Sequence, residues 1–362
     1  MQKVKLVDIC SPKQWKTIPT SQLKSEGYPV YGANGVIGYF SDYNHEEPTI
    51  LITCRGATCG SINVCKEFSY VNGNAMSLDN LSRNVDLSFL KYQLENFDFS
   101  SVISGSAQPQ ITREGLQKVV LILFDLQEQK AIAEKLDKVS ILIEKRKQQL
   151  SLLDTLVKSK FVEMFGGISK QNWVKLCDCC NLITDGTHQP PKFQRNGIPF
   201  LFVSNLSNNE INYNTSKFIS ESTYLELIKR TPIDVGDILL SIVGSYGHPA
   251  IVKVKKKFCF QRHIAYMKPN IEKINGFYLH SALMSQYLQE QIEGKVKGVA
   301  QKTLNLAEVK TLRLPLPSLD LQNPFADFAE KTEELKAKIK QSLAALELLK
   351  KSLMQKYFGS VD

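Results

Sequence analysis

The sequence predicts an α+β chain in which one plan is written twice: a mixed α/β globule, a long helix, a second globule and a second long helix. Three observations carry that expectation. The first is length. Residues 126–165 and 319–358 are each about forty residues without glycine, and Pro324, in the first turns of the second stretch, is the only proline in either. At about 1.5 Å rise per residue such a helix is ~60 Å long, far more than a small domain needs. The second is periodicity. Apolar residues return every seven positions at Leu136, Ile143, Leu150, Val157 and Met164, with Ile132, Val139 and Leu153 completing a seam that Arg146 and Lys160 interrupt. That spacing suits a helix zipped along one side onto another helix.

The third observation is a repeat. At a constant shift of 193, Leu126 falls on Leu319, Gln129 on Gln322, Leu142 on Leu335, Leu150 on Leu343, Leu153 on Leu346, Leu156 on Leu349 and Phe165 on Phe358. Upstream the same shift lays Gly105-Ser106-Ala107-Gln108 on Gly298-Val299-Ala300-Gln301, Ile111 on Leu304, and Leu121-Ile122-Leu123 on Leu314-Pro315-Leu316. A heptad, a Gly-x-Ala-Gln loop and an apolar strand repeating in one register point to a pseudo-dimer, since two copies are too few for a solenoid.

Taken in order, residues 1–125 read as a unit of short strands and turns, opened by Val4 to Ile9. Tyr28 to Phe40 carries glycines at 32, 35 and 38, which is not G-x-G-x-x-G, and no helical pattern follows, so a dinucleotide loop is rejected. Thr49 to Cys54 is a buried strand that runs into the turn Arg55-Gly56-Ala57-Thr58-Cys59-Gly60 and a further strand from Ser61 to Val64. Val71 to Met76 reads as a turn entering a strand, and 87–100 as a helix with Leu87, Leu90, Tyr92 and Leu94 apolar. The first long helix spans 126–166 and breaks at Gly166-Gly167; a second globule, 167–318, precedes the second long helix, 319–362.

The second globule echoes the first. Val174 to Asp178 matches Val4 to Asp8, and Gly197 to Phe200 matches Gly27 to Val30, both at a shift of 170. Gly236 to Gly244 takes the part of the strand ending at Gly56, and Phe260 to Ala265 that of Val71 to Met76. The shift grows to about 188 and then 193, which places insertions chiefly around 205–235. The turns differ where the frame does not: Arg55-Gly56-Ala57-Thr58 stands against Val243-Gly244-Ser245-Tyr246, and Asn72-Gly73-Asn74 against Gln261-Arg262-His263. One frame with different polar tips suits two modules reading two targets.

Composition narrows the class. The net charge is +9, but the two helical stretches carry eight Lys/Arg against six Asp/Glu and seven against six, leaving about +6 on the rest. The globules are therefore the expected seat of an anionic partner. No run of 18 apolar residues exists, so no membrane span is expected, and the mixed polar start Met1 to Asp8 suits a cytoplasmic location. The eight cysteines, including Cys177-Asp178-Cys179-Cys180, lack paired zinc spacing and are read as reduced thiols, with no metal site. Phosphate-loop, H-E-x-x-H and G-x-S-x-G motifs are absent. Asn323-Pro324-Phe325 resembles an adenine-methyltransferase motif only superficially and reads as a helix start. The five histidines, 45, 188, 248, 263 and 280, have no nucleophile pattern beside them, and no catalytic residue is expected.

What remains is a set of turns rich in groups that bind nucleic acid, the candidate DNA contacts of the chain. Arg reads guanine and Asn or Gln reads adenine by two-pronged contacts, while Lys, Ser, Thr and turn amides hold phosphates. The first globule offers Arg55, Thr58, Asn72, Asn74, Gln108, Gln110, Thr112 and Arg113. The second offers Thr187, His188, Ser204, Asn205, Ser245, Tyr246, His248, Gln261, Arg262, His263, Gln301, Lys302 and Thr303. Along the helices, Leu136, Ile143, Leu150, Leu153, Val157, Leu335, Ile339, Leu343, Leu346 and Leu353 are the expected helix–helix and partner interface.

These residues together resemble the specificity (S) subunit of type I restriction-modification systems, over essentially the whole chain. The carriers are Tyr28 to Gly35, Arg55 to Gly60, Gly105 to Ile111, Asp185 to His188, Gly236 to Ser241 and Gln261 to Ala265, in that order. The helix openings Leu123 to Gln129 and Leu314 to Gln322 fit the family's strand-to-helix junction, with Phe124-Asp125 standing where proline is usual. The resemblance implies a non-catalytic subunit with two target recognition domains, each reading one half of a split, asymmetric site in double-stranded DNA. It implies that the two long helices pack antiparallel as a ruler for the unread spacer. They dock two methyltransferase (M) subunits, through which restriction (R) subunits assemble. S-adenosylmethionine, ATP and magnesium belong to those partners, with no cofactor in this chain. A ~60 Å rod exceeds one ~34 Å turn of duplex, so it is long enough for that task. Two other classes remain: a nuclease or methyltransferase acting alone, against which the missing motifs speak, and a coiled-coil scaffold or RNA- or protein-binding adaptor without duplex-DNA specificity.

Overall fold

The computed structural model describes residues 2–105, 108–207, 209–298 and 301–359. It forms two compact units, Met1–Lys147 with Gln341–Asp362, and Gln148–Lys340. The long helices run Leu126–Phe165 and Leu319–Phe358, and the division falls inside both of them. Each unit thus holds the start of one long helix and the end of the other.

The first unit is closed by pairing its ends. Strand Gln2–Lys5 lies antiparallel to Val120–Leu123, with Val4 opposite Leu121. The opening segment Val4 to Ile9 divides between that strand and one helical turn, Leu6–Ile9, whose Leu6 and Ile9 enter the core. A four-stranded sheet follows in the order Ser11–Gln14, Ala75–Asp79, Ile50–Thr53, Ile62–Val64. Ile50, Leu51, Ile52 and Thr53 are all buried, because the sheet has a core on each face. Ile50 and Ile52 pack with Leu6, Phe89, Leu90 and Leu116, while Leu51 packs with Tyr31 and Val71. A strand covered on both faces reads as a continuous apolar run rather than an alternating one. The helix expected over 87–100 is Leu87–Asn96 followed by a separate 3-10 turn Phe99–Ser101. The Asp98 carboxylate takes the Ser100 amide, which restarts the chain instead of letting the helix continue.

The second unit repeats this topology. Val174–Lys175 pairs with Arg313–Leu314. The four-stranded sheet runs Cys180–Asp185, Ile264–Pro269, Ile238–Ser241, Pro249–Ile251, the same order of equivalents as in the first unit. The three-stranded sheets also correspond: Tyr28–Gly32 is antiparallel to Gly35–Phe40 and parallel to Tyr70–Val71, as Ile198–Leu201 is to Phe218–Ile219 and Cys259–Phe260. The hairpin Leu206–Ser207 with Glu210–Ile211 and the helix Glu221–Leu227 fill the insertion expected around 205–235.

Within each unit the helices run antiparallel. In the first, Lys147 meets Glu347 at 3.8 Å, while Ile132 and Leu136 share a core with Met354. In the second, Lys336 meets Asp154 at 2.6 Å, and Phe325 packs against Phe161 and Phe165. The seam of the first helix is Ile132, Leu136, Val139, Ile143, Arg146, Leu150, Leu153, Val157 and Lys160, every one buried or half-buried. In the second it is Phe325, Thr332, Lys336, Ile339, Leu343, Leu346, Lys350 and Leu353. Leu335, expected at the helix–helix and partner interface, is 46% exposed and lies outside the seam. Lys336 takes the seam position instead, neutralised by Asp154 and by Glu333 at 2.7 Å.

Candidate nucleic-acid interface

Antiparallel pairing brings the turns of each four-stranded sheet to one end. In the first unit Gln14 lies opposite Met76, and Thr53 opposite Ala75, so the segments after Gln14, after Thr53 and before Ala75 emerge together. Backbone bonds lock the cluster: the Cys54 amide donates to the Asn74 carbonyl at 3.2 Å, Gly56 to Pro109 at 3.1 Å, and Ile111 to Cys54 at 3.0 Å. Arg55 bridges Gln110. Arg55, Thr58, Asn74, Gln108 and Arg113 are exposed and Gln110 half-buried. The Thr58 hydroxyl donates to Asn34 at 2.8 Å. The Thr112 hydroxyl accepts from the Gly115 amide, capping the short helix Arg113–Leu116.

The second unit builds the same cluster from other side chains. The Gly244 amide donates to the Lys302 carbonyl at 2.9 Å, Leu304 to Ile242 at 2.8 Å, Ile242 to His263 at 3.0 Å, and Arg262 to Thr187 at 3.0 Å. Val243 bridges Thr303 as Arg55 bridges Gln110. Gly56 and Gly244 hold the shared turn at φ +91° and +74°, where a side chain would strain the backbone. His188, Ser245, His248, Arg262, Gln301 and Lys302 are exposed; Thr187, Tyr246, Gln261, His263 and Thr303 are half-buried. Ser204 is exposed on the turn Val203–Asn205, and among the described residues no hydrogen bond ties it to the cluster. In the Gly-x-Ala-Gln loops, Ser106, Ala107, Val299 and Ala300 lie outside the described residues.

Two expected contact residues are instead structural. Asn72 is 3% exposed: its Oδ1 accepts from the Ile18 amide at 3.0 Å and the Gly73 amide at 2.9 Å, and its Nδ2 donates to the Ile18 carbonyl. Asn205 is 7% exposed, accepts from the Phe202 amide, and donates to the carbonyls of Asn212 and Asn214. Amides whose oxygen and nitrogen are both held inside the fold are not available to read a base.

The fold also adds residues that the sequence reading missed. Strand pairing sets Gln14 where Asp185 stands, which puts Trp15, Lys16 and Thr17 in the place of Gly186, Thr187 and His188. Lys13 lies 3.4 Å over the Trp15 ring. Beside it a cleft of about 520 Å³ is lined by Lys13, Gln14, Gln110, Thr112 and Arg113. The aromatic-basic run Lys13 to Thr17 is the signal that marks them in the sequence. In the second unit Arg230, from the insertion, pairs with Asp185, whose other oxygen shares a 2.8 Å bond with His188. Tyr246 donates to Glu293, and the Lys302 ammonium lies 3.5 Å from that carboxylate. The Tyr246 bond, and then the Lys302 charge, hold Glu293 below the usual carboxylate range. Burial, then the Arg262 charge, lowers His263, so its ring favours the neutral form.

Among the described residues no three His, Cys, Asp or Glu gather in a way that could hold a metal ion, and no helix is long and apolar enough to cross a membrane. What both clusters offer is hydrogen-bonding side chains and cations on a rigid frame, the equipment of base and phosphate contact.

Comparison with known proteins agrees. The family model for the type I restriction modification DNA specificity domain matches residues 1–152 and 172–348. The type I restriction enzyme EcoBI specificity subunit of Escherichia coli is 24% identical over 369 residues, covering 92% of this chain and 74% of that protein. The fold is similar to that of the S subunit of the type I restriction-modification system from M. genitalium, at a TM-score of 0.69 and 16% identity over 100% of this chain and 96% of that one. A second solved chain, from work on complex assembly and conformational transition of the type I R-M system, gives a TM-score of 0.51 at 17% identity over 99% and 97%. Matched in both of its halves, the chain belongs to the family of specificity subunits of type I restriction-modification systems.

Proposed function

We propose that this specificity subunit reads a split site in double-stranded DNA, each unit's turn cluster reading one half and the long helices setting the spacer between. The observation that carries this is the duplicated cluster: one backbone frame, held by equivalent amide-to-carbonyl bonds, with Arg55 and Thr58 exchanged for Val243 and Tyr246, and Asn74 for His263. A frame kept while its tips change is what two readers of different sequence need. The chain itself is non-catalytic, and S-adenosylmethionine, ATP and magnesium belong to its partners.

Two methyltransferase subunits dock along the helices, and restriction subunits join through them. Equivalent leucines support a partner present twice: Leu142 and Leu335 are each 46% exposed, and Leu156 and Leu349 are 48% and 46%. Each unit also has a cleft between its helices and a short helix, built at equivalent positions. In the first it is about 910 Å³ and lined by Ile143, Lys351 and Met354; in the second it is about 640 Å³ and lined by Lys336, Lys158 and Phe161.

The test is to co-express the chain with methyltransferase subunits and map modified bases in DNA. A second sample carries residues 2–125 exchanged for the corresponding module of another specificity subunit. The expected outcome is a split motif in which one half changes and the other stays. Both halves changing together sinks the one-unit, one-half reading. A stable complex without sequence-specific modification would favour the scaffold.

A further inference from the structure

Gln129 and Gln322 lie in the first turns of the two long helices, at equivalent positions, and both are 0% exposed. The Gln129 Oε1 accepts from the Asp86 amide at 2.9 Å, and its Nε2 donates to the carbonyls of Asn84 at 3.0 Å and Phe124 at 2.9 Å. The Gln322 Oε1 accepts from the Asn275 amide at 2.9 Å, and its Nε2 donates to the carbonyls of Lys273 at 2.9 Å and Pro317 at 2.7 Å. The six partners are equivalent backbone atoms, although their side chains differ: Asn against Lys, Asp against Asn, Phe against Pro. A clasp that grips only backbone survives free change of sequence around it.

Each clasp ties three pieces. It joins the long helix to its strand-to-helix junction and to the residue that caps the neighbouring short helix, Asp86 for Leu87–Asn96 and Asn275 for Gly276–Met284. The surrounding packing is apolar, including Phe124 against Phe89 at 5.9 Å, and apolar contact tolerates small rotations. Hydrogen bonds do not, because they weaken steeply as their angle opens.

We propose that Gln129 and Gln322 are positioning residues that fix the rotation of each globule on its long helix and so make the complex selective for one spacer length. This rests on the split-site reading above. One added base pair turns the far half-site by about 34–36° and moves it ~3.4 Å, so a reader free to pivot accepts neighbouring spacers.

The experiment uses the full chain assembled with its methyltransferase subunits. DNA substrates keep both half-sites fixed and change the spacer by single base pairs. Gln129→Met and Gln322→Met are made separately, each keeping side-chain length and apolar contact while losing all three bonds. The expected result is that methylation at the preferred spacer, relative to spacers one base pair longer or shorter, falls about tenfold. Base preferences within both half-sites stay as in wild type. An unchanged spacer ratio in a variant with lowered thermal stability overturns the proposal and leaves a merely structural role. So does a variant that no longer folds, or one whose half-site bases change. A wild-type complex indifferent to spacer length overturns the split-site reading itself, and the clasp's role with it.

Discussion

The two units solve one junction differently. In the second, Gly186 lets the chain approach the next turn closely enough for the Arg262 amide to donate to the Thr187 carbonyl; a Cβ there would stand 2.2 Å from the Phe260 oxygen. In the first, Trp15 occupies the equivalent place, and the gap is spanned by the Asn72 side chain, which bonds the Ile18 amide and carbonyl. The helix seam shows the same contrast. Ile143 of the first unit corresponds to Lys336 of the second, where Asp154 and Glu333 neutralise the cation. The lesson is that backbone pairing is held in common, and a side chain is polar or apolar according to what closes the gap left beside it.

The most drastic way to break this comparison is at the seam. Leu150 and Leu343 are half-buried at equivalent positions, so Leu150→Asp with Leu343→Asp places two carboxylates in it. Loss of methyltransferase capture in a pull-down is expected, with each globule's fold retained by circular dichroism; unchanged capture overturns the helical docking. Next comes Lys336→Ala, which strips the half-exposed Asp154 of its cation and leaves Glu333 with Lys253 alone, and is expected to destabilise the second unit by about 2–3 kcal/mol in denaturant unfolding. Ile143→Ala, at the matching half-buried site, is expected to be milder, about 1–2 kcal/mol. Equal effects would erase the distinction between the two seams.

A third comparison separates structural from reading residues in one turn cluster. Asn72→Ala is expected to lower stability by about 2 kcal/mol with the first half-site's bases unchanged. Arg55→Ala is expected to leave melting unchanged and weaken that half-site by about 1–3 kcal/mol, seen in the methylation profile. The smallest effect is in pH. Burial lowers His280 to about 4, while Lys91 stands at the equivalent position in the first unit. The unfolded chain therefore binds a proton that the folded second unit refuses, so stability is full above about pH 6.5 and falls as pH drops toward 4. A loss of about 1 kcal/mol by pH 5 is expected, discounted because the ring is partly exposed, and His280→Leu should flatten it.

Much of the fold was legible because its signals are local and repeated. The helices Leu126–Phe165 and Leu319–Phe358 were marked by forty residues without a break, and the buried strands Ile50–Thr53 and Ile238–Ser241 by unbroken apolar runs. At Phe124-Asp125, which corresponds to Pro317-Ser318 in the second copy, the Asp125 carboxylate accepts the Glu128 amide at 2.8 Å and caps the helix. The candidate interface was legible only as a set of turns. Asn72 and Asn74 look alike in sequence, yet one is buried and the other exposed. Leu335, expected at the helix–helix and partner interface, is left exposed, while the adjacent Lys336 sits in the seam beside Asp154, which comes from far away in the chain.

The sequence by itself determined the duplicated plan, the length and span of both long helices, the buried strands and the family, since each depends on periodicity and order along the chain. Only the tertiary structure decided which polar residues face outward, that Lys13 and Trp15 stand beside the first cluster, and that Gln129 and Gln322 close equivalent clasps. Those outcomes depend on backbone groups brought within about 3 Å from elsewhere in the chain, and a directional bond at that distance is a property of the assembled fold, not of any local pattern.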